Sequence, residues 1–381
     1  MRDSCGGVDI DAVRAALDGD TVLGLGMLGG GQTDAVPEGT AAVIATSGSS
    51  GIPKRVVLSC EALRASAEAT AERIGSGRWL LALPAGYVAG LQVLVRSIVA
   101  GTEPVVLANG FSTRAFTEAT LSMLRPMSGS GEIERLFTSV VPAQLATLID
   151  AADDASVRAA LQAYSAILVG GQALPEPLRE AAAALGVRLV RTYGSSETSG
   201  GCVYDGVPLE NVAVRAVDGE LWIAGPMLAD GYLGDTQLTE RIFVRDEHGV
   251  RWYRTGDLGI VDDDGVVRVH GRADNVIVSG GINVSLDRVE RIVRSIPGLT
   301  AAVVVGVEDA RWGEASVIVA PRGESLRRSE ADQLESAREA VATELGKPAR
   351  PARLIIVDEL ATLTSGKPDR EAIRRSVAQL R

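Results

Sequence analysis

Residues 164–198 of the chain read YSAILVGGQALPEPLREAAAALGVRLVRTYGSSET. Two apolar runs in this stretch, Ala166–Val169 and Val187–Arg191, predict short strands, and the Ala- and Leu-rich sequence between them predicts a helix. The same pattern occurs upstream, where we predict strands at Ala41–Ala45, Leu80–Leu83, Val105–Leu107 and Phe137–Val141. Strands that alternate with helices predict βαβ units, so we expect an α/β fold with mixed or parallel sheets and flanking helices.

The sequence changes character twice after residue 200. Short apolar runs separated by Gly and Asp, at residues 212–217, 220–224, 251–254 and 266–270, predict a more antiparallel region. Further on, the order strand, strand, helix, strand, helix predicts a compact α+β unit of about 100 residues. We therefore predict a large N-terminal domain at 1–272, with subdomains at about 1–168 and 169–272, a hinge at 273–276, and a smaller mobile C-terminal domain at 277–381.

Composition disfavours several classes of protein. The 381 residues carry 38 Lys and Arg against 49 Asp and Glu, and the net charge of −11 argues against nucleic acid or anionic lipid as a partner. Three scattered cysteines without a CxxC pair favour a reduced, cytoplasmic setting, and two histidines cannot build a His-rich metal site. The N-terminus is too polar for a signal peptide. The most apolar stretch, Leu80–Val95, is too short to span a membrane, so we interpret it as core.

The segment Gly24–Gly29 matches the dinucleotide-binding pattern GxGxxG, but its surroundings do not fit that pattern. Few apolar residues precede it and no helix-forming sequence follows, so we interpret it as a flexible turn. The chain contains no Walker A motif.

Two segments that follow predicted strands have the composition of phosphate and metal sites. Thr46–Lys54 reads TSGSSGIPK, and its small residues, hydroxyls and lysine can form an anion-binding loop; a Ser/Gly surface loop is the alternative. Tyr193–Thr198 reads YGSSET, in which a carboxylate beside hydroxyls suits Mg²⁺ together with phosphate oxygens. A helix N-cap with Glu in the first turn is the alternative for this segment.

Three further segments lie nearer the C-terminus. Tyr253–Asp257 ends a predicted strand, and its aspartate can accept hydrogen bonds from a ribose diol or simply occupy a β-turn. In Gly271–Gly281, Arg272 can hold a phosphate or a ribose and Asp274 occupies a hinge position, unless the segment is a plain linker. A second Gly-Lys loop places Lys367 where it can bring positive charge to a phosphate, or where it is an ordinary exposed turn.

The order of these segments resembles that of the adenylate-forming superfamily of acyl-CoA synthetases, adenylation domains and luciferases. The resemblance covers the family's phosphate loop and its YGxTE, GEL…G…GY, YRTGD, GRxDxxIxxGG and C-terminal GK motifs. These fall at Thr46–Lys54, Tyr193–Glu197, Gly219–Tyr232, Tyr253–Asp257, Gly271–Gly281 and Ser365–Lys367. The matches run from residue 41 to residue 370, and six segments in this order rarely arise by chance.

Four departures from the family pattern bear on the substrate and on the loops. Ala361 and Leu363 replace the Pro and Thr of the C-terminal lysine loop, and Ser196 replaces the Thr of YGxTE. Tyr87 stands where the family's LPxxHxxG segment has His, beside the acyl pocket, which favours a changed substrate. The phosphate loop begins at residue 46, earlier than in typical members, so the resemblance implies a truncated N-terminal subdomain.

The resemblance implies two half-reactions. A small-molecule carboxylic acid reacts with ATP and Mg²⁺ to give an acyl-adenylate and pyrophosphate, and a thiol, often that of coenzyme A, then displaces AMP. The family's nucleotide-binding positions carry over to residues of three kinds. The β- and γ-phosphates bind Thr46, Ser47, Gly48, Ser49, Ser50, Gly51 and Lys54; adenine lies beside Gly171, Gln172, Ala173, Thr192, Tyr193 and Gly194; and the ribose binds Asp257 with help from Arg272.

The resemblance also assigns the chemistry and the hinge. Glu197 binds Mg²⁺, Ser196 contacts the α-phosphate, and Lys367 bridges the carboxylate and the α-phosphate during adenylation. The C-terminal domain then turns about Asp274. This rotation withdraws the lysine and brings a loop toward the pantetheine tunnel, namely Ser279, Gly280 and Gly281.

Within the superfamily, the chain most resembles short actinobacterial o-succinylbenzoate–CoA ligases of menaquinone biosynthesis. The likeness lies in the early phosphate loop, the LPxxYVAGLQ segment and the GVPLENV run at 206–212. It implies an aromatic dicarboxylate whose succinyl carboxylate is activated, in a pocket whose candidate residues are Tyr87, Gln144, Ser195, Ser199 and Gly200. The alternatives are another aryl or medium-chain acyl-CoA ligase, a stand-alone adenylating enzyme for a carrier protein, and a nucleotide-binding regulator without catalysis. Many members dimerise, so a homodimer stays open.

Overall fold

The computed structural model describes residues 8–26, 35–46, 54–107, 110–124, 135–322, 329–363 and 367–379. Its helices are α1 (Ile10–Leu17), α2 (Cys60–Ile74), α3 (Val88–Val99), α4 (Thr113–Met123), α5 (Pro142–Asp150), α6 (Ala155–Gln162), α7 (Glu176–Ala184), α8 (Thr236–Ile242), α9 (Leu286–Arg294), α10 (Glu330–Leu345) and α11 (Arg370–Gln379). Short 3₁₀ helices lie at Ser196–Thr198 and Lys347–Ala349. Its strands are β1 (Leu23–Leu25), β2 (Thr40–Thr46), β3 (Lys54–Ser59), β4 (Arg78–Leu81), β5 (Val105–Val106), β6 (Leu136–Val140), β7 (Tyr164–Val169), β8 (Leu189–Ser195), β9 (Gly200–Tyr204), β10 (Val207–Pro208), β11 (Ala213–Val217), β12 (Glu220–Ala224), β13 (Gly231–Tyr232), β14 (Phe243–Arg245), β15 (Arg251–Val261), β16 (Val267–Arg272), β17 (Val276–Ser279), β18 (Ile282–Ser285), β19 (Val303–Asp309), β20 (Gly313–Pro321) and β21 (Arg353–Val357).

The largest sheet has the strand order β10-β9-β8-β7-β6-β4-β5. Strands β5, β4, β6, β7 and β8 are parallel, and β9 and β10 extend one edge in antiparallel orientation. Neighbouring residues of β6 face opposite sides, since Phe137 packs into the core that includes α2 and α3, and Leu136 packs into the core that includes α4 to α7. This confirms the predicted α/β sheet with flanking helices. The carboxyl ends of its parallel strands meet at one edge, where ligands of such sheets bind.

A smaller sheet near the N-terminus has the order β1-β2-β3-β13. Strands β2 and β3 are antiparallel, with Thr46 opposite Lys54, so the two ends of the predicted phosphate loop are adjacent. The loop residues Ser47, Gly48, Ser49, Ser50 and Gly51 lie outside the described residues. The interpretation of Gly24 as part of a turn is wrong, because Leu23–Leu25 pairs with β2 and Leu25 is buried in the core.

The third sheet has the order β11-β12-β15-β14, with β16 paired to β15. Its strand pairs are antiparallel, as the short apolar runs separated by Gly and Asp predict. Strand β15 is longer than the sequence predicts and runs through Thr255, Gly256 and Asp257. Asp257 therefore lies within a strand, opposite Arg272 of β16, and the β-turn alternative for this aspartate is wrong.

The C-terminal sheet has the order β18-β17-β20-β19, with β21 parallel to β20. Helices α9 and α10 cover one face through residues such as Val289 and Val341. Helix α11 covers the other face, where Ile373 and Val377 pack against strands β19 and β20. The compact α+β unit that the sequence predicts is thus present, with two helices on one side and one on the other.

Residues 276–285, which follow the predicted hinge at 273–276, have a regular structure. Val276–Ser279 and Ile282–Ser285 form an antiparallel hairpin. Gly280 and Gly281 at its tip have φ angles of 58° and 80°, and two consecutive left-handed residues are what a tight type I′ hairpin turn requires. Across the described ranges, no helix is long and apolar enough to cross a membrane.

Candidate active site

A cavity of about 1730 Å³ opens where the carboxyl ends of the parallel strands meet the third sheet and the C-terminal unit. Its wall includes Val140 of β6, Val169 of β7 and Ser195 of β8, each at the end of its strand. Arg254 of β15 and Lys367 of the C-terminal unit line the same cavity. The position of the cavity at this edge of the sheet makes it the candidate active site.

Thr46 and Lys54, at the two ends of the predicted phosphate loop, both line the cavity. The Thr46 hydroxyl donates to the Lys54 carbonyl at 3.4 Å across the β2–β3 pair. The Lys54 Nζ lies 5.6 Å from the centroid of the Tyr232 ring, so its charge is held over an aromatic face. Phosphate binding by the loop between these two residues stays a prediction.

Ser196 and Glu197 lie in the 3₁₀ turn that follows β8, and both line the cavity. The Glu197 amide donates to Ser195 Oγ at 3.2 Å, so Ser195 caps this turn as the alternative interpretation of the segment predicts. The Ala229 amide donates to the Glu197 carbonyl at 2.9 Å. The Tyr232 hydroxyl donates to Glu197 Oε1 at 2.9 Å, which fixes the orientation of the carboxylate.

Asp257 is held between two donors in the cavity wall. The Tyr193 hydroxyl donates to its Oδ2 at 2.6 Å, and Arg272 Nη1 donates to its Oδ1 at 3.3 Å. Burial raises the pKa of Asp257, and the hydrogen bond from Tyr193 and the charge of Arg272 oppose that rise. A carboxylate fixed in this way can accept further hydrogen bonds from a ribose diol, whose oxygens are donors of the right kind.

The predicted adenine-binding residues Gly171, Gln172, Ala173, Thr192, Tyr193 and Gly194 all line the cavity. Gly171 has a φ of +83°, and a Cβ atom added there would lie 3.3 Å from Lys367 Cε. The Lys367 side chain therefore passes directly over the backbone that follows β7. Burial lowers the pKa of Lys367, and the negative charge of Glu197 opposes that effect.

The loop that carries Lys367 is closed at its base. The Leu363 amide donates to the Lys367 carbonyl at 2.7 Å, the Asp369 amide donates to the Ala361 carbonyl at 2.8 Å, and Thr362 pairs with Pro368. Ala361 and Leu363, which depart from the family pattern, thus take part in closing the loop through their backbone carbonyl and amide groups. Residues 364–366 lie outside the described part of the chain.

The predicted hinge residue Asp274 is hydrogen-bonded to Arg272, one of the predicted ribose-binding residues. Arg272 Nε donates to Asp274 Oδ1 at 3.1 Å while its Nη1 reaches Asp257. The Arg272 amide and the Asn275 side chain both donate to Asp287 of α9, each at 2.7 Å. Lys367 lines the cavity in this arrangement, whereas the hairpin residues do not, namely Ser279, Gly280 and Gly281.

The predicted acyl-pocket residues are only partly brought together. Tyr87, Ser195 and Gly200 line the cavity. Gln144 does not: its side chain accepts from the Val141 amide at 3.1 Å and donates to the Ala82 carbonyl at 3.0 Å, so it caps helix α5. Ser199 is fully buried behind the wall, where its hydroxyl donates to the Met227 carbonyl at 2.8 Å.

Sequence reasoning missed two polar residues of helix α3, Gln92 and Arg96, which are four residues apart and both line the cavity. Arg96 is 6% exposed and Gln92 is fully buried. Arg96 Nε and Gln92 Oε1 have no hydrogen-bond partner in the described part of the chain. The sequence signal was available, because Arg96 is the single charged residue of the apolar run Val88–Val99.

Arg96 has an unusual electrostatic environment. Its guanidinium donates to the Tyr204 hydroxyl at 3.3 Å and its Cζ lies 5.2 Å from the centroid of the Trp79 ring. Burial lowers the pKa of Arg96, and among the described residues no carboxylate forms an ion pair with it. Buried arginines are normally paired, so this wall of the cavity offers a cation for an anion that the described residues do not supply.

Across the described residues, no group of three or more His, Cys, Asp and Glu side chains is placed to hold a metal ion. A single carboxylate in the cavity wall, as at Glu197, is the kind of group that Mg²⁺ binds, because this ion commonly takes one or two carboxylates together with substrate phosphates.

The fold and the cavity define an adenylate-forming enzyme with a large α/β domain and a small C-terminal domain. The chain matches AMP-binding enzymes over residues 11–233 and the AMP-binding enzyme C-terminal domain over residues 288–367. It therefore belongs to the AMP-binding enzyme family, which confirms the resemblance that the ordered motifs indicate.

Comparison with individual proteins narrows this family. A Mycobacterium tuberculosis protein named probable 2-succinylbenzoate–CoA ligase is 39% identical over 379 residues, which cover 98% of this chain and 93% of that protein. The structure of o-succinylbenzoate–CoA synthetase from Bacillus subtilis, solved with the acyl-adenylate intermediate, is 27% identical with a TM-score of 0.72, covering 90% of this chain and 70% of that one. An amide bond synthetase from Marinactinospora thermotolerans is also 27% identical, with a TM-score of 0.74, covering 89% of this chain and 70% of that one.

Proposed function

We propose that this protein is an ATP-dependent 2-succinylbenzoate–CoA ligase that releases AMP and pyrophosphate. The observation that carries the substrate assignment is Arg96, a buried cation in the cavity wall without a carboxylate partner in the described part of the chain. 2-Succinylbenzoate has two carboxylates, of which only one is activated. The second carboxylate is the anion that would compensate the charge of Arg96.

The energetics favour a ligand with this second charge. Removing a guanidinium from water without a partner costs several kcal/mol, and a bound carboxylate with good hydrogen-bond geometry offsets that cost. Tyr204 is a neutral acceptor for one guanidinium nitrogen, Nη2, and does not balance the charge of Arg96. A monocarboxylic acid of the same size would leave that charge without a partner.

In the first half-reaction, an oxygen of the succinyl carboxylate attacks the α-phosphorus of ATP. A new oxygen–phosphorus bond forms, the bond to the β-phosphate breaks, and pyrophosphate leaves. We assign Lys367 to neutralise the negative charge that the carboxylate and the α-phosphate bring together. Asp257 and Arg272 would orient the ribose, and residues 171–173 with Tyr193 would hold the adenine.

Mg²⁺ fits this site through Glu197, whose carboxylate lines the cavity in an orientation set by Tyr232. When bound with phosphate oxygens, the ion would neutralise charge on the nucleotide. Ser196, beside Glu197, would contact the α-phosphate.

In the second half-reaction, the thiol of coenzyme A loses its proton to solvent and its sulfur attacks the acyl carbon. The carbon–oxygen bond to AMP breaks, and AMP leaves. We assign rotation of the C-terminal domain about Asp274 to this step, with domain boundaries at residues 272 and 277. Lys367 would then leave the cavity, and the hairpin of Ser279, Gly280 and Gly281 would face the thiol channel. A cytoplasmic location fits the cysteine content, and homodimer formation remains a prediction.

A second candidate is transfer of the acyl group to an acceptor other than coenzyme A. The similarity to an amide bond synthetase, whose TM-score is 0.74, supports this alternative. Both candidates share the adenylation step and differ only in the nucleophile that displaces AMP. They are therefore separated by the product and not by the consumption of ATP.

The test is a panel of carboxylic acids supplied with ATP and Mg²⁺ in the presence of coenzyme A or of amines. We expect pyrophosphate and AMP, not ADP, and a CoA ester of 2-succinylbenzoate detected by mass, with little product from benzoate or fatty acids. A CoA ester formed best from another acid would support the ligase activity but contradict 2-succinylbenzoate as the substrate. Amide without CoA ester would favour the second candidate, and an absence of pyrophosphate with every acid would contradict both.

A further inference from the structure

We infer that Tyr204 is a positioning residue that holds the guanidinium of Arg96 against the cavity wall and thereby sets the preference for a dicarboxylate over a monocarboxylate. This inference rests on the proposed function, in which Arg96 binds the second carboxylate. Tyr204 lies at the end of β9, lines the cavity and is 2% exposed. It belongs to none of the motifs that mark the nucleotide site.

A chain of hydrogen bonds fixes the hydroxyl proton of Tyr204. Thr70 Oγ1 lies 2.9 Å from the Ser66 carbonyl, which can only accept, so Thr70 donates to it. Thr70 Oγ1 also lies 2.9 Å from the Tyr204 hydroxyl, and with its own proton used it must accept from Tyr204. The Tyr204 oxygen is then left with its lone pairs toward Arg96 Nη2 at 3.3 Å.

This directionality gives Arg96 a fixed acceptor on one side only. Thr70 is fully buried, Tyr204 and Arg96 are almost fully buried, and the Trp79 ring lies 5.2 Å from the guanidinium. A long side chain has several rotamers, and an acceptor at one corner selects among them. Tyr204 is the acceptor for Nη2, so a ligand carboxylate would reach the guanidinium through the part of Arg96 that lines the cavity.

A second tyrosine in the same chain provides a matched control. The Tyr164 hydroxyl lies 2.6 Å from Thr120 Oγ1, and Thr120 donates to the Phe116 carbonyl at 2.8 Å, four residues earlier in its helix. This is the arrangement of Tyr204, Thr70 and Ser66. Tyr164 is also buried, at 4% exposure, but it does not line the cavity and no arginine bonds to it in the described residues.

The experiment compares Tyr204→Phe with Tyr164→Phe, using two acids. One is 2-succinylbenzoate, and the other is 4-oxo-4-phenylbutanoate, which is the same acid without the ring carboxylate. The readout is the ratio of the two kcat/KM values for CoA-ester formation. We expect Tyr204→Phe to lower this selectivity ratio roughly tenfold, mainly through a higher KM for the dicarboxylate, because a hydrogen bond to a charged group is lost. We expect Tyr164→Phe to leave the ratio unchanged, although both variants lose a buried hydrogen bond and melt at similarly lowered temperatures.

Thr70→Val is the second variant, in case Tyr204→Phe is poorly folded. It leaves the phenolic oxygen in place but removes the acceptor that orients its proton, so we expect a smaller fall in selectivity, roughly threefold. Equal selectivity ratios in wild type, Tyr204→Phe and Thr70→Val would overturn the inference alone. A wild type that makes no CoA ester, or that uses both acids equally well, would overturn the proposed function and this inference with it.

Discussion

The two ends of the cavity differ in how their charges are balanced. At the proposed nucleotide end, Asp257 is paired with Arg272 at 3.3 Å, and the negative charge of Glu197 opposes the lowering of the Lys367 pKa. At the acyl end, Arg96 is more deeply buried than any of these and has no carboxylate partner among the described residues.

Because of this difference in charge balance, we expect one end of the cavity to govern the rate of turnover and the other to govern the choice of acid. The nucleotide end already contains both signs of charge, so it can receive ATP with any acid that fits. In the described residues, the proposed acyl end has a buried cation without a carboxylate partner, and a ligand that brings a carboxylate offsets the free-energy cost of burying that cation. Changes at the nucleotide end should therefore alter turnover with every acid by the same factor, whereas changes at the acyl end should alter which acid is used.

The largest effect is expected from Lys367→Ala. Loss of the cation over the reacting phosphate should slow adenylation roughly 100- to 1000-fold, with 2-succinylbenzoate and 4-oxo-4-phenylbutanoate affected alike. Formation of the CoA ester from a supplied acyl-adenylate should persist, because Lys367 is assigned to the first step only. Pyrophosphate release and ester formation, measured separately, check this. Exposed Lys347, which does not line the cavity, provides the control variant Lys347→Ala. Equal loss in both half-reactions would contradict the division of labour.

Arg96→Met tests the proposed acyl end, where it should change the selectivity between the two acids. Removing a buried cation that pairs with a ligand carboxylate should lower the selectivity ratio about 100-fold, from loss of 2-succinylbenzoate alone. Methionine fills a similar volume without a charge, so the melting temperature should stay the same or rise. The monocarboxylate serves as the internal control. A parallel loss with both acids would show that Arg96 supports the fold of the site and does not read the second carboxylate.

Tyr232→Phe tests the proposed nucleotide end, where it should change the Mg²⁺ requirement. Without the hydroxyl that donates to Glu197 at 2.9 Å, the carboxylate is less well oriented, and the Mg²⁺ concentration for half-maximal activity should rise about tenfold. The selectivity ratio between the two acids should not move. Mg²⁺ titrations of pyrophosphate release in wild type and variant provide the measurement. An unchanged Mg²⁺ requirement would show that Tyr232 does not support Mg²⁺ binding.

The smallest effect is expected in the pH dependence of adenylation. Burial lowers the pKa of Lys367 below the usual lysine value of 10.5, so its proton is lost earlier as the pH rises. The protonated form is the one assigned to catalysis, so adenylation should decline on the alkaline side at a pH below that value. Residual activity of Lys367→Arg should lack this decline, because arginine stays protonated. The same alkaline decline in ester formation from a supplied adenylate would argue against Lys367 as its source.

The sequence predicted that most of the proposed nucleotide-binding residues lie around one cavity, and it did so for a physical reason. Its residues follow strands, as Glu197 follows β8 and residues 171–173 follow β7, and the carboxyl ends of parallel strands come together by topology. Asp257 was harder to place, since a carboxylate after an apolar run suggests a turn. Only the pairing of β15 with β16 shows it inside a strand and opposite Arg272.

The acyl end could not be predicted in the same way. Arg96 lies inside an apolar run that reads as core, and its position in the cavity depends on which face of α3 meets β9. Gln144 and Ser199 have suitable chemistry for a pocket, but their side chains are used by the backbone of neighbouring elements. Local hydrogen bonds of this kind are not visible in residue type or spacing.

The most direct test of the account is the wild-type enzyme's preference between the two matched acids. With ATP, Mg²⁺ and coenzyme A at saturating concentrations, kcat/KM for CoA-ester formation is measured with 2-succinylbenzoate and with 4-oxo-4-phenylbutanoate. If Arg96 is the partner of the second carboxylate, the dicarboxylate should be preferred by a factor of about 100. Equal use of both acids would contradict the assignment of Arg96 as the partner of the second carboxylate, because that cation is expected to discriminate between the two acids.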